Sequence, residues 1–188
     1  MTEHVGRRLL SATSRRSFAK QSGNMRKCAF ESLSQIIIFI INPRPNRSIA
    51  TTQKMIKASE ILHIPIYATT QNRARLGETC AELSIPHAVE HADKTAFSMW
   101  IPSICRHFNS GAPAEVIIVG IESHICVTQT ALDLLANGHK VYVLADGVSS
   151  CNPQEIPIAL ERLRAAGAIV TSSESIMYEI MGDASIPE

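Results

Sequence analysis

Aromatic side chains are scarce in this sequence, at 5% with a single tryptophan, so its core has to be assembled from Ile, Val, Leu and Ala. No apolar run approaches the ~18 residues that a membrane-spanning helix needs. Ser34 to Ile41 is too short and too β-branched to be anything but a strand. Paired cysteine spacings are absent: residues 28, 80, 105, 126 and 151, odd in number, form no C-x-x-C pair and show no zinc-type spacing with histidine. That pattern argues against a disulfide framework and for free thiols in a reducing compartment. There is no internal repeat and no low-complexity linker. What remains is 188 residues with 45% hydrophobic content, enough to bury a core as one domain.

The formal net charge is +1, but it is unevenly spread. Within residues 1–29, Arg7, Arg8, Arg15, Arg16, Lys20, Arg26 and Lys27 are set against Glu3 alone, which leaves 11 basic and 16 acidic residues in the remainder. A body of that sign has no electrostatic reason to bind nucleic acid. Residues 1–30 read as a basic, Ser-rich segment and 31–188 as the domain proper. The segment suits either an Arg-rich, acid-poor mitochondrial presequence or a basic tail with no address, so the expected location is mitochondrial or cytoplasmic.

Strands and helices alternate as a parallel sheet requires. The patterning predicts strands at 35–41, 65–69, 87–91, 116–119, 140–145 and 168–171. Helices are predicted at 50–63, 101–108, from residue 127 to Gly138, and from Pro153 to Gly167, with a last one capped by Ser172 or Ser173. Ile156, Ala159, Leu160 and Leu163 mark a buried helical face. The fold expected is a three-layer α/β architecture with a doubly wound, mostly parallel sheet and helices on both faces.

Cys126 follows the β-branched run Val116 to Val119 and precedes a helical pattern, which places a thiol at a strand-to-helix turn. The unpaired N–H groups and the dipole of a first helical turn stabilise a thiolate there. A buried structural thiol is the competing reading. In a doubly wound sheet the carboxyl ends of parallel strands converge on one crevice, so Lys94, after a short apolar segment, and Asn42, after the first strand, are expected to meet Cys126 there.

With Asp93 to Met99, Val119 to Leu135, Val143 to Ser150 and Thr171 to Glu174 taken together, the chain resembles the isochorismatase-like hydrolase superfamily, and within it the eukaryotic isochorismatase domain-containing proteins. The resemblance runs from about Gln35 to the C-terminus. It implies a nucleophilic cysteine at Cys126, a lysine at Lys94 and a triad acid at position 42, acting on an electrophilic carbon such as an amide or imide carbonyl. It also implies a non-proline cis peptide between Ile121 and Glu122, aiming an N–H at the oxyanion with the Cys126 N–H as second donor.

Position 42 departs from the family pattern, because a carboxamide cannot act as a base near neutral pH. The following Pro43-Arg44-Pro45 fixes an extended turn where the family has a longer loop. Turnover is therefore expected to suffer, while Lys94 should still lower the thiol pKa and let Cys126 label well below its ordinary value of about 8.5.

Gln71 is a candidate for the substrate pocket or a plain loop amide. Glu122 is a site carboxylate or a solvated turn residue. Asp146 is a substitute base or a turn former. Phe97, Met99 and Trp100 wall a pocket, dock a subunit or pack in the core. His124 lies two residues before Cys126, too close in sequence for a facing pair. Related nicotinamidases carry an aspartate and two histidines for a metal after the second strand, whereas Thr69 to Gly77 offers no such set, so neither metal nor cofactor is expected. Three functional readings follow: a cysteine hydrolase of a small-molecule substrate, impaired at position 42; a pseudoenzyme whose output is homo-oligomer formation; or a thiol redox sensor.

Overall fold

The computed structural model describes residues 35–39, 47–108 and 112–185. The basic segment 1–30 and Asn42 lie outside the described residues. Six strands form one sheet: β1 (Gln35–Phe39), β2 (Ile66–Gln71), β3 (Glu90–Lys94), β4 (Glu115–Gly120), β5 (Lys140–Val148) and β6 (Ile169–Thr171). Their order is β3-β2-β1-β4-β5-β6, and every adjacent pair is parallel. The chain thus winds outward from β1 in both directions. Such an order puts the switch point between β1 and β4, where the carboxyl ends of the strands open a crevice.

The helices are α1 (Arg47–Ile61), α2 (Arg73–Leu76), α3 (Pro102–Cys105), α4 (Thr128–Ala136), α5 (Glu155–Ala165) and α6 (Ser173–Met181). Alternation along β4 sorts them into layers. Val116 and Ile118 join a core with Phe108, Val127, Ala131, Leu134 and Leu163, from the 3₁₀ turn after α3, from α4 and its preceding turn, and from α5. Ile117 and Val119 point the other way, toward α1. A methyl group built on Gly147 would meet Val119 Cγ1 at 2.8 Å and Thr51 Cγ2 at 3.4 Å, so β4, β5 and α1 close together around that glycine.

Several boundaries differ from expectation. The helix at 101–108 breaks into α3 and the 3₁₀ turn Arg106–Phe108. Lys94 is the last residue of β3 instead of lying beyond a strand that ends at His91. Pro153 precedes α5, whose first residue is Glu155. The short helix α2 carries no apolar periodicity by which it could be read. Met99 is fully buried and Trp100 packs edge-on against Phe108 at 5.2 Å, so both belong to the core, while Phe97 is half exposed.

Candidate active site

Gln71 and Lys94 are the last residues of neighbouring parallel strands and stand directly opposite one another in register. β4 ends at Gly120 with φ 123°, a left-handed value that favours glycine, and is followed by the cis Ile121–Glu122 bond. The chain then makes a π-helical turn, Ser123–Val127, before α4 begins. Val127 N donates to Glu122 O at 3.1 Å, and Thr128 Oγ1 reinforces the wide turn by donating to Ser123 O at 2.7 Å. Cys126 therefore sits inside a π turn, a feature common at functional sites. The first-turn donors are partly consumed, since the Ile125 and Val127 N–H groups both go to Glu122 O.

The Cys126 sulfur lies 3.9 Å from Lys94 Nζ. The ammonium also donates to Gln71 Oε1, to Ala96 O at 3.0 Å and to Phe97 O at 2.9 Å. Gln71 in turn donates from Nε2 to Thr95 O at 2.8 Å. Three successive carbonyls, from Thr95, Ala96 and Phe97, thus converge on Gln71 and Lys94. No sequence motif signals this arrangement, because backbone oxygens belong to every residue type.

Both reactive groups are buried, Cys126 at 3% and Lys94 at 4% exposure, and burial governs their ionisation. It pushes the thiol above its ordinary value, and the Lys94 ammonium and the Glu122 backbone N–H pull it only part of the way back. Burial likewise pushes Lys94 down, with Cys126 and Asp93 opposing it. The expectation of a thiol ionised well below its ordinary range is corrected accordingly: the lysine acts in the expected direction, but desolvation outweighs it.

The candidate carboxylates Glu122 and Asp146, and Asp93 beside Lys94, are occupied elsewhere. Glu122 Oε2 accepts from the Cys151 N–H at 2.6 Å. Asp93 Oδ1 accepts from Thr70 Oγ1 at 2.8 Å and from Arg73 N at 3.0 Å, and the Thr70 hydroxyl chiefly holds its carboxyl low. Asp146 accepts from Ser173 N at 2.8 Å and from Ser173 Oγ at 2.5 Å, tying β5 to the start of α6. His124 pairs through Nδ1 with Ser150 Oγ at 3.1 Å, away from the thiol. Ile121 is half-buried in the turn. Among the described residues no cluster of three or more His, Cys, Asp or Glu is arranged to hold a metal ion, and no helix is long and apolar enough to cross a membrane.

The Asp146 arrangement makes a stability prediction. Asp146→Ala leaves the N–H and hydroxyl of the fully buried Ser173 without their acceptor, and the expected loss is about 1–3 kcal/mol in urea unfolding.

The isochorismatase domain family matches residues 41–175. A secreted isochorismatase effector, Isc1, of Phytophthora sojae is 42% identical over 143 residues, covering 73% of this chain and 68% of that protein. Isochorismatase domain-containing protein 1 of Salmo salar is 37% identical over 146 residues, covering 74% of this chain, which spans 50% of that relative's length. The solved structure of the MAR1 ribonuclease from Caenorhabditis elegans superposes with a TM-score of 0.73 at 33% identity, covering 83% of this chain and 86% of that one.

Proposed function

Because the chain belongs to the isochorismatase family, we propose that it is a cysteine hydrolase of small amides, imides or related electrophiles, with Cys126 as nucleophile and Lys94 as its cationic partner. The supporting observation is the 3.9 Å approach of the sulfur to Lys94 Nζ, at the carboxyl end of a parallel sheet. The thiolate attacks the carbonyl carbon, the Glu122 N–H, which rests on the sulfur beforehand, and the Cys126 N–H are the donors for the developing oxyanion, and the amine leaves as the C–N bond breaks. Water then cleaves the thioester and restores the thiol. The thiol proton has to leave before or during attack and return on the leaving nitrogen. Among the described residues, Glu122, Asp93 and Asp146 are all engaged elsewhere, and the sequence has Asn42 in place of the family's acid. Turnover in this reading is slow.

Beyond position 29 the chain carries 11 basic against 16 acidic residues, which give a polyanion such as RNA little to hold. The test is Asn42→Asp assayed on a panel of small amides. Restoring a base is expected to raise turnover by about 10²-fold or more, the ordinary contribution of general base catalysis. Equal, undetectable rates in parent and variant overturn the hydrolase reading in favour of a pseudoenzyme.

A further inference from the structure

We propose that Gln71 is a positioning residue that fixes the protonation of the resting pair, holding Cys126 as a thiol and Lys94 as an ammonium through one shared acceptor, its Oε1. The inference deepens the hydrolase reading and rests on it for its catalytic meaning, though its physical content stands alone.

The carboxamide has one possible orientation. With Nε2 donating to Thr95 O at 2.8 Å, the oxygen faces Lys94 Nζ and the Cys126 sulfur, the latter at 3.9 Å. Turned over, it would set its NH₂ against the ammonium and its oxygen against the Thr95 carbonyl, which is repulsive on both sides. The residue is buried, at 8% exposure, so a turned-over amide would have few water molecules to compensate it.

A carboxamide oxygen only accepts. Receiving S–H favours thiol over thiolate, and receiving N–H favours ammonium over amine. The Ala96 and Phe97 carbonyls reinforce the second preference. Among the described residues, the titratable groups acting on this pair are Lys94 and Glu122 at the sulfur, and Cys126 and Asp93 at the amine. Gln71 therefore occupies the place from which a carboxylate would both pair with the lysine and take the thiol proton. As a carboxamide it does the orienting but not the proton transfer, and the proton released on attack goes to water. A carboxylate at position 71 would take that proton as the S–C bond forms and hand it to the leaving nitrogen as C–N breaks.

The test uses the full chain and reads the pH midpoint of Cys126 alkylation by iodoacetamide, followed by peptide mass, in parent, Gln71→Met and Gln71→Glu. In the methionine variant Lys94 loses one oxygen and turns that proton to the sulfur, which also loses its own acceptor. The midpoint is expected to fall by about one unit, or tenfold faster alkylation at neutral pH. In the glutamate variant a negative charge beside the sulfur is expected to raise the midpoint by at least about one unit, while turnover on the amide panel rises. Opposite signs in the two variants are the signature of a shared acceptor. A midpoint that stays put or rises in Gln71→Met reports added desolvation only and overturns the proposal. If Gln71→Glu does not fold, the methionine variant decides alone. Midpoints that move as expected with no turnover in any variant sink the hydrolase reading and leave the positioning role intact.

Discussion

Replacing Lys94 with methionine is expected to slow alkylation of Cys126 about a hundredfold at any pH below the thiol midpoint, because that midpoint rises by about two units. Two unit charges some 4 Å apart interact by ~4 kcal/mol at an effective dielectric near 20. The observed separation is 3.9 Å. Part of that energy is already forgone, since the ammonium is shared with Gln71 Oε1 and two backbone carbonyls, and burial pulls it toward the amine. About 2.7 kcal/mol survives, which corresponds to two pH units. Folding should change far less. Three oxygens lose a charged donor, each worth ~1.5–3 kcal/mol, but removing a buried cation returns several kcal/mol of desolvation. Alkylation followed from neutral to strongly alkaline pH, alongside urea unfolding, separates the two effects. An unmoved midpoint would mean that the amine does not act on the sulfur.

Cys126→Ala is expected to reduce turnover on any amide substrate to background, a loss of at least about a thousandfold, as for other enzymes stripped of a covalent nucleophile. Among the described residues no second thiol is paired with Lys94. Cys80 is buried, Cys105 half-buried and Cys151 exposed, and none of them is hydrogen-bonded to Lys94. The cost to folding is small, because the sulfur is a minor member of a core built on Val127, Ile118 and Met99. The void it leaves costs ~1 kcal/mol. A folded alanine variant with undiminished turnover would remove the nucleophile from the proposed mechanism altogether.

The fold was legible where burial left a compositional trace. Val116 to Val119 reads as a strand because a parallel strand covered on both faces becomes an unbroken β-branched run. A cap at Ser172 or Ser173 was legible, and the structure selects Ser172, whose Oγ accepts from Ser175 N at 3.2 Å. The pairing of Cys126 with Lys94 was legible from where each falls in the alternation of strands. The thiol's ionisation was not, because desolvation depends on what surrounds a group and not on its neighbours in sequence. The π turn was hidden as well: Ser123 to Val127 has ordinary helical composition, and its extra residue per turn is set by the Glu122 carbonyl and the Thr128 hydroxyl. Gln71 was visible only as a residue just past a strand, whereas its role depends on its alignment with Lys94 across two strands.

That alignment fixes the sign of the charge set beside the sulfur. Asp93 precedes Lys94 and points to the opposite face of β3. Were β3 to slide by a single residue against β2, the pleat would bring the carboxylate inward and turn the amine out. A thiol now sitting above a cation would then sit above an anion. The polarity around the thiol is therefore a matter of strand registration, and it would reverse without one amino acid being altered.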